Sequence, residues 1–176
     1  MRKSWLIALV MMVLALPLVA EGLNTYTSEE FGFSLDYSDA WENVLDIGPL
    51  LTLTILDEEM PVVFSAIAES LAAEERMGEL DLSVDEALEM IHAQLEDIGL
   101  ASLEVLESGN TTLNEIPALH LNLKISILDL IYMKMDSVIV KNGGNLIFLS
   151  YLAEESVYDK HASDYAAINW SFRLAE

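Results

Sequence analysis

Residues 117–127 read Pro-Ala-Leu-His-Leu-Asn-Leu-Lys-Ile-Ser-Ile. Leu119, Leu121, Leu123 and Ile125 alternate with His120, Asn122, Lys124 and Ser126. Period-two alternation puts the first set on one face of a strand and the second on the other. A second apolar-rich run, Leu130 to Val140, follows and ends in Lys141-Asn142-Gly143-Gly144-Asn145. Glycine takes positive φ without steric cost, so Gly143-Gly144 predicts a tight hairpin turn. It is no phosphate loop, because it lies between two strands and lacks a Lys-Ser/Thr pair and an immediate helix. Leu146 to Leu152 is the returning strand, and the three runs together predict an antiparallel meander.

Upstream the same logic gives more strands. Phe31, Phe33, Leu35 and Tyr37 share one face of a strand that pairs with Asn24 to Ser28 across a Glu29-Glu30 turn. A turn at Ser38-Asp39-Ala40 ends in Trp41. Leu50 to Leu56 alternates leucine and isoleucine with Thr52 and Thr54, and Pro61 to Ala68 resumes beyond Asp57-Glu58-Glu59. Glu69 to Leu80 reads as a charged connection with a helical turn near residues 72–77. Ala101 to Ser108 and Thr111 to Leu113 read as two short strands around Gly109-Asn110.

One strong helix separates the two blocks of strands. Ser83 and Glu86 have the spacing of a capping box, in which two unpaired backbone donors are satisfied reciprocally. Val84, Leu88, Ile91, Leu95 and Ile98 then form a single apolar stripe, with Gly99 as its C-terminal cap. Glu154 to Ile168 predicts one or two short helices, and Asn169 to Leu174 a final strand or helix end. The expected class is α+β: an α/β/α sandwich with a central antiparallel β-sheet flanked by helices.

The opening residues have a different composition. Arg2 and Lys3 precede an apolar run from Trp5, and Pro17-Leu18-Val19-Ala20-Glu21-Gly22 follows. That is the pattern of a secretory signal peptide over residues 1–20, cleaved near Ala20 or Gly22. The stretch Trp5 to Ala20 is 16 residues, shorter than the ~20 that a membrane-spanning helix needs. The expectation is a single domain over 21–176, secreted or otherwise extracytoplasmic, with no stable membrane span after cleavage.

Composition excludes several functions. The 176 residues hold no cysteine, which removes disulfides, thiol nucleophiles, cysteine-ligated zinc and a cysteine-linked lipid anchor. After Ala20 there are six basic and 30 acidic residues, a net charge of −24. Nucleic acid is excluded as a partner, because phosphate binding needs clustered lysine and arginine. Such charge keeps a chain soluble, and a solvated acidic exterior is the simplest expectation; weak attraction of divalent cations or of a basic partner is the alternative.

Few residues suggest chemistry. Glu89, His92 and Glu96 lie on one helix face at spacings of three and four, a candidate two-carboxylate, one-histidine divalent metal set. An ordinary solvated helix face fits them too. His120 sits on the polar face of its strand with Asn122 and Lys124, where the simplest expectation is contact with water. His161 follows Tyr158, a packing anchor. No Gly-x-Ser-x-Gly elbow occurs, and the many acidic pairs are too common to mark an acid–base site. No catalytic residue and no cofactor is assigned. Phe31, Phe33, Tyr37 and Trp41 are expected in the core rather than in an aromatic ligand box. Asn110-Thr111-Thr112 and Asn169-Trp170-Ser171 fit glycosylation sequons.

Four stretches, in order, resemble the PsbP-like domains. Tyr26 to Trp41 is similar to the family's Gly-Phe-Ser-hydrophobic-x-Tyr-Pro-x-x-Trp opening. Ser83 to Ile98 resembles its central helix. Thr112-Leu113-Asn114-Glu115-Ile116-Pro117-Ala118 resembles its Thr-hydrophobic-Asn-Gly-x-Pro-Ala turn. Leu146 to Tyr151, Ala153 to Lys160 and Ile168 to Arg173 resemble its last strand, its last helix and the closing Ser-Phe-Arg. Ser38 replaces the usual proline and Glu115 the usual glycine. The resemblance implies the sandwich fold shared with the Ran-binding Mog proteins. It also implies a non-catalytic binding or assembly module that engages an extracytoplasmic or membrane-complex protein. An extracytoplasmic small-molecule or divalent-cation binding protein is the alternative. The namesake docks on photosystem II through basic residues, and six scattered ones, Arg76 to Arg173, do not reproduce that.

Overall fold

The computed structural model describes residues 22–57, 60–71, 83–96, 102–127 and 130–175. Its strands are β1 (Leu23–Ser28), β2 (Phe33–Ser38), β3 (Glu42–Ile47), β4 (Leu50–Asp57), β5 (Met60–Ser70), β6 (Ser102–Leu113), β7 (Ile116–Ile127), β8 (Ile131–Asn142), β9 (Asn145–Glu154) and β10 (Arg173–Leu174). Helix α1 spans Val84–Glu96, between β5 and β6, and α2 spans Tyr158–Ser171, between β9 and β10.

Seven strands form one antiparallel sheet in the order β3-β4-β5-β9-β8-β7-β6. Two meanders, β3-β4-β5 and β6-β7-β8-β9, meet where β5 pairs with β9, with Phe64 opposite Tyr151. The two predicted blocks of strands are thus joined side by side. The alternation in β7 divides the faces as expected. Leu119, Leu121, Leu123 and Ile125 pack with Ala87 and Ile91 of α1. The opposite face carries Val138, Val140, Leu149 and Tyr151, which pack against α2 and a smaller sheet.

That smaller sheet, ordered β1-β2-β10, refines the expected sandwich. One side of the large sheet is covered by α1, but the other is covered by α2 together with three strands. Phe33 and Phe172 stack at 5.8 Å where β2 meets the end of α2. The hydroxyl oxygen of Ser171 accepts the Asp36 N–H at 2.7 Å, and Arg173 reaches the Asp36 carboxylate at 2.7 Å. Phe31, Phe33 and Trp41 are buried core residues and Tyr37 packs against them, as expected. Phe31 itself lies in the turn before β2. That turn is closed by Gly32 at φ 65° and by the Asn142 side chain, which donates to the Phe31 carbonyl at 2.9 Å.

Three local readings change. Ser102 to Leu113 is one long strand, not two, and passes Gly109-Asn110 without turning. It accommodates one extra residue, Leu106, at a bulge between Val105 and Glu107. Strand β3 lies in Glu42–Ile47, which carries no alternation to announce it, and it too has a register shift, between Asn43 and Leu45. The tail divides into the end of α2 and the two-residue β10. Expectations for residues 1–20, the helical turn near 72–77 and the Gly99 cap lie outside the described residues.

Candidate functional site

The richest polar constellation lies between α2 and the β7–β8 pair. The register that sets Leu121 against Ser137 also sets Asn122 against Asp136, so the polar face of β7 meets the one carboxylate of β8. His120 Nε2 lies 3.0 Å from Asp136 Oδ2. Asn122 donates to the same oxygen at 3.3 Å. From α2, the Tyr165 hydroxyl donates to Asp136 Oδ1 at 2.9 Å. His120 is 26% and Asp136 16% exposed at the side chain, so the network runs from the surface into the core.

The histidine and the tyrosines around it are shifted by their surroundings. The Asp136 hydrogen bond, aided by its charge and that of Glu107, raises the His120 pKa against the opposing effect of burial. Burial first, then Asp136, pushes Tyr165 well above the usual phenol range. Tyr158 is pushed up to about 12, mainly by burial. Tyr151 rises too, and its hydroxyl donates to the Tyr158 carbonyl at 2.8 Å. The Tyr151 and Tyr165 rings stack at 5.1 Å. Asn169 hydrogen-bonds Tyr165, while its buried Oδ1 has no partner among the described residues.

His120 therefore does not simply face water. Asp136 fixes its ring, and Tyr165 ties that carboxylate to α2. An imidazole–carboxylate pair can hold and release a proton. Among the described residues no serine or threonine hydroxyl is hydrogen-bonded to any of the three histidines. Beside the network, Lys124 bridges to Glu155 at 3.0 Å and lies 5.2 Å from the Tyr132 ring centre.

A second histidine cluster anchors the start of α2. His161 Nε2 lies 2.8 Å from Asp57 and Nδ1 lies 3.2 Å from Asp164. Lys160 meets Asp57 at 2.7 Å. Hydrogen bonds from Lys160 and His161 hold the Asp57 carboxyl below its usual range. Tyr158, at the head of the helix, is buried against Tyr151 as expected of a packing anchor.

Of the candidate metal set, two of the three side chains are described. Glu89 and His92 are exposed on α1, His92 facing solvent as expected, and the Glu96 side chain lies outside the described ones. Among the described residues no three His, Asp or Glu side chains are grouped to hold a metal ion. The two sequons also part. Asn110 is exposed on β6, but Asn169 is 8% exposed within α2 and is closed to glycosylation in the folded protein.

Sheet order, the α1 and α2 layers and the small closing sheet can be compared with solved structures. The NMR structure of cyanobacterial PsbP (CyanoP) from Synechocystis superposes with a TM-score of 0.66 at 16% identity, covering 90% of this chain and 95% of that one. This is the PsbP/Mog1-like fold. The Ran-binding protein Mog1p of Saccharomyces cerevisiae has it as well, at TM-score 0.59 and 7% identity over 89% of this chain and 97% of that one. So does LpqN, involved in cell envelope biogenesis of Mycobacterium tuberculosis, at 0.56 and 14% over 88% and 91%. No family model and no curated protein sequence matches the chain. Within the PsbP/Mog1-like frame, Asn114 and Glu115 turn β6 into β7 with φ of 50° and 70°. Asn114 uses its amide to close the end of α2, donating to the Trp170 and Phe172 carbonyls at 3.0 and 2.9 Å. No motif or spacing in the sequence marks Asp136 or Tyr165 as a site residue. The signal present there is a lone carboxylate within the apolar run of β8.

Proposed function

We propose that this chain is an exported binding or assembly module that engages a protein partner. The observation that carries this reading is how its side chains are used. The histidines with hydrogen-bond partners are committed to Asp136, Asp57 and Asp164, contacts that fasten α2 or the strands beneath it. The exposed residues are of the kind partners recognise. Trp170 is 73% exposed on the last turn of α2, with exposed Ala166 and Ala167 one turn before it. Tryptophan is enriched among the residues that carry the binding energy of protein interfaces. Mog1p, which has this fold, is described as Ran-binding, and that supports a protein partner. Among the described residues no helix is long and apolar enough to cross a membrane. The signal-peptide pattern of residues 1–20 supports export.

The test is crosslinking capture in the native host with the full chain and with Trp170→Ala, after fractionation of cytoplasm, envelope and medium. The expected result is a stoichiometric partner in the envelope or medium fraction, weakened by the substitution. Retention in the cytoplasm, or side-chain-dependent turnover of a small substrate by the purified protein, would sink the reading.

A further inference from the structure

Strand β6 is a long edge. Its 12 residues pair with β7, and no strand lies on its other side among the described residues. An edge strand presents a row of backbone donors and acceptors, and proteins usually keep such edges short or blunted. The opposite edge, β3, follows that habit with six residues.

The bulge gives β6 a defined pattern. Glu104 stands opposite Lys124 and Val105 opposite Leu123, and then Leu106 is skipped so that Glu107 stands opposite Asn122. Lys124 and Asn122 are two residues apart and share a face. The extra residue therefore places Glu104 and Glu107 on the same face, the one that carries His120. Their influence on Lys124 and on His120 agrees with that placement. Val105 points to the other face with Leu103, which packs on the α1 side. Val105 is 41% and Leu106 48% exposed. One side of the edge thus presents two carboxylates, and the other presents apolar surface.

We propose that the free edge of β6 receives an extended basic segment of a protein partner as an added strand. Its lysine or arginine side chains fall beside Glu104 and Glu107, and its alternate apolar side chains fall beside Leu103 and Val105. Strand addition of this kind draws affinity from backbone hydrogen bonds and specificity from alternate side chains. Charge decides between occupants. A second copy would bring another net charge of −22 to the same edge, whereas a basic segment is attracted to it. This inference rests on the protein-binding reading above and names the partner's chemistry.

The probe is a fluorescein-labelled peptide that alternates lysine and valine over 12 residues, the length of β6. A scrambled peptide of the same composition and an alternating peptide N-methylated at every second residue are the controls. Full-length protein is titrated by anisotropy, and backbone hydrogen exchange locates the bound peptide. The alternating peptide is expected to bind at least ~10-fold tighter than either control, with slowed exchange confined to β6. Reversing both charges, Glu104→Lys with Glu107→Lys, is expected to weaken it at least ~10-fold and flatten its salt dependence. A matching circular dichroism spectrum and melting temperature confirm that this variant folds. Equal binding of the scrambled peptide, or protection on α1 instead of β6, overturns the proposal, as does protein self-association that protects β6 without peptide. If the captured partner still binds the charge-reversed protein, the edge proposal fails while the module reading stands. If no partner is captured at all, the module reading fails by itself.

Discussion

His120 gains a carboxylate partner on folding, and this sets the sign of a pH effect. Its folded pKa lies above the ordinary value because Asp136 accepts its N–H. A raised pKa means that the folded state holds the proton more tightly than the unfolded chain does. The resulting stabilisation is fully present below the unfolded pKa of about 6.5 and fades as pH rises through the folded value. The melting temperature of the native protein is therefore expected to fall between about pH 6 and the alkaline side of that window. In His120→Gln that fall is expected to be smaller, because Gln can donate to Asp136 but does not titrate. Equal falls in the two proteins would show that the pair carries none of the dependence. Glu115 supplies a second prediction. It holds φ at 70° where the family resemblance has glycine. A side chain in the left-handed region costs about 1 kcal/mol, so Glu115→Gly is expected to raise the denaturant midpoint by a similar free energy. A lowered midpoint would mean that the turn gains more from the side chain than it loses in backbone strain.

Among the elements, α1 is built as its residues foretold. Ser83 Oγ accepts the Glu86 N–H at 3.2 Å, and Glu86 accepts the Ser83 N–H at 2.8 Å. Removing an N-cap hydroxyl costs ~1 kcal/mol. Ser83→Ala is expected to speed hydrogen exchange in the first turn of α1 by about that factor in free energy, leaving α2 untouched. Uniform acceleration across both helices would show that α1 does not open by itself. The legible elements have two causes. Strand β7 and α1 are amphipathic, so their period survives in the residues, whereas β8 and β9 are buried on both faces over much of their length and are legible as apolar runs on either side of a glycine turn. The capping box and Gly143 then marked boundaries. Strand β3 was not legible, because an edge strand with a register shift buries too little to impose alternation. Strand β6 was read as two for a related reason: its outer side is solvated, and Gly109-Asn110 mimics a turn. The polar network was half legible. The face shared by His120, Asn122 and Lys124 was visible, but the pairing with Asp136 depends on the β7–β8 register. Tyr165 enters only when α2 docks, a tertiary fact that no local pattern encodes.

The whole molecule is strongly acidic, with 30 acidic and 8 basic residues. Among the described residues Lys124, Lys160 and Arg173 are tied to carboxylates, and six basic residues after Ala20 are too few to compensate most of the 30 acidic groups. Self-repulsion of this kind destabilises a compact state and is relieved by screening. Between ~10 mM and ~150 mM salt the Debye length shrinks from about 30 Å to about 8 Å. The melting temperature is expected to rise over that interval, and a flat or falling profile would mean that the native ion pairs outweigh the repulsion. The small sheet has another consequence, one of time. Strand β2 pairs with β10 through Ser34 and Arg173, residues 139 positions apart in the chain. At a synthesis rate of roughly 5–20 residues per second, β2 leaves the ribosome some ~7–30 s before its third-strand partner exists. Until then the hairpin of β1 and β2 has an open side and Phe33 has no Phe172 to stack on. The chain remains unfinished while it is being made, and an unfinished chain is one that a translocation channel can still thread.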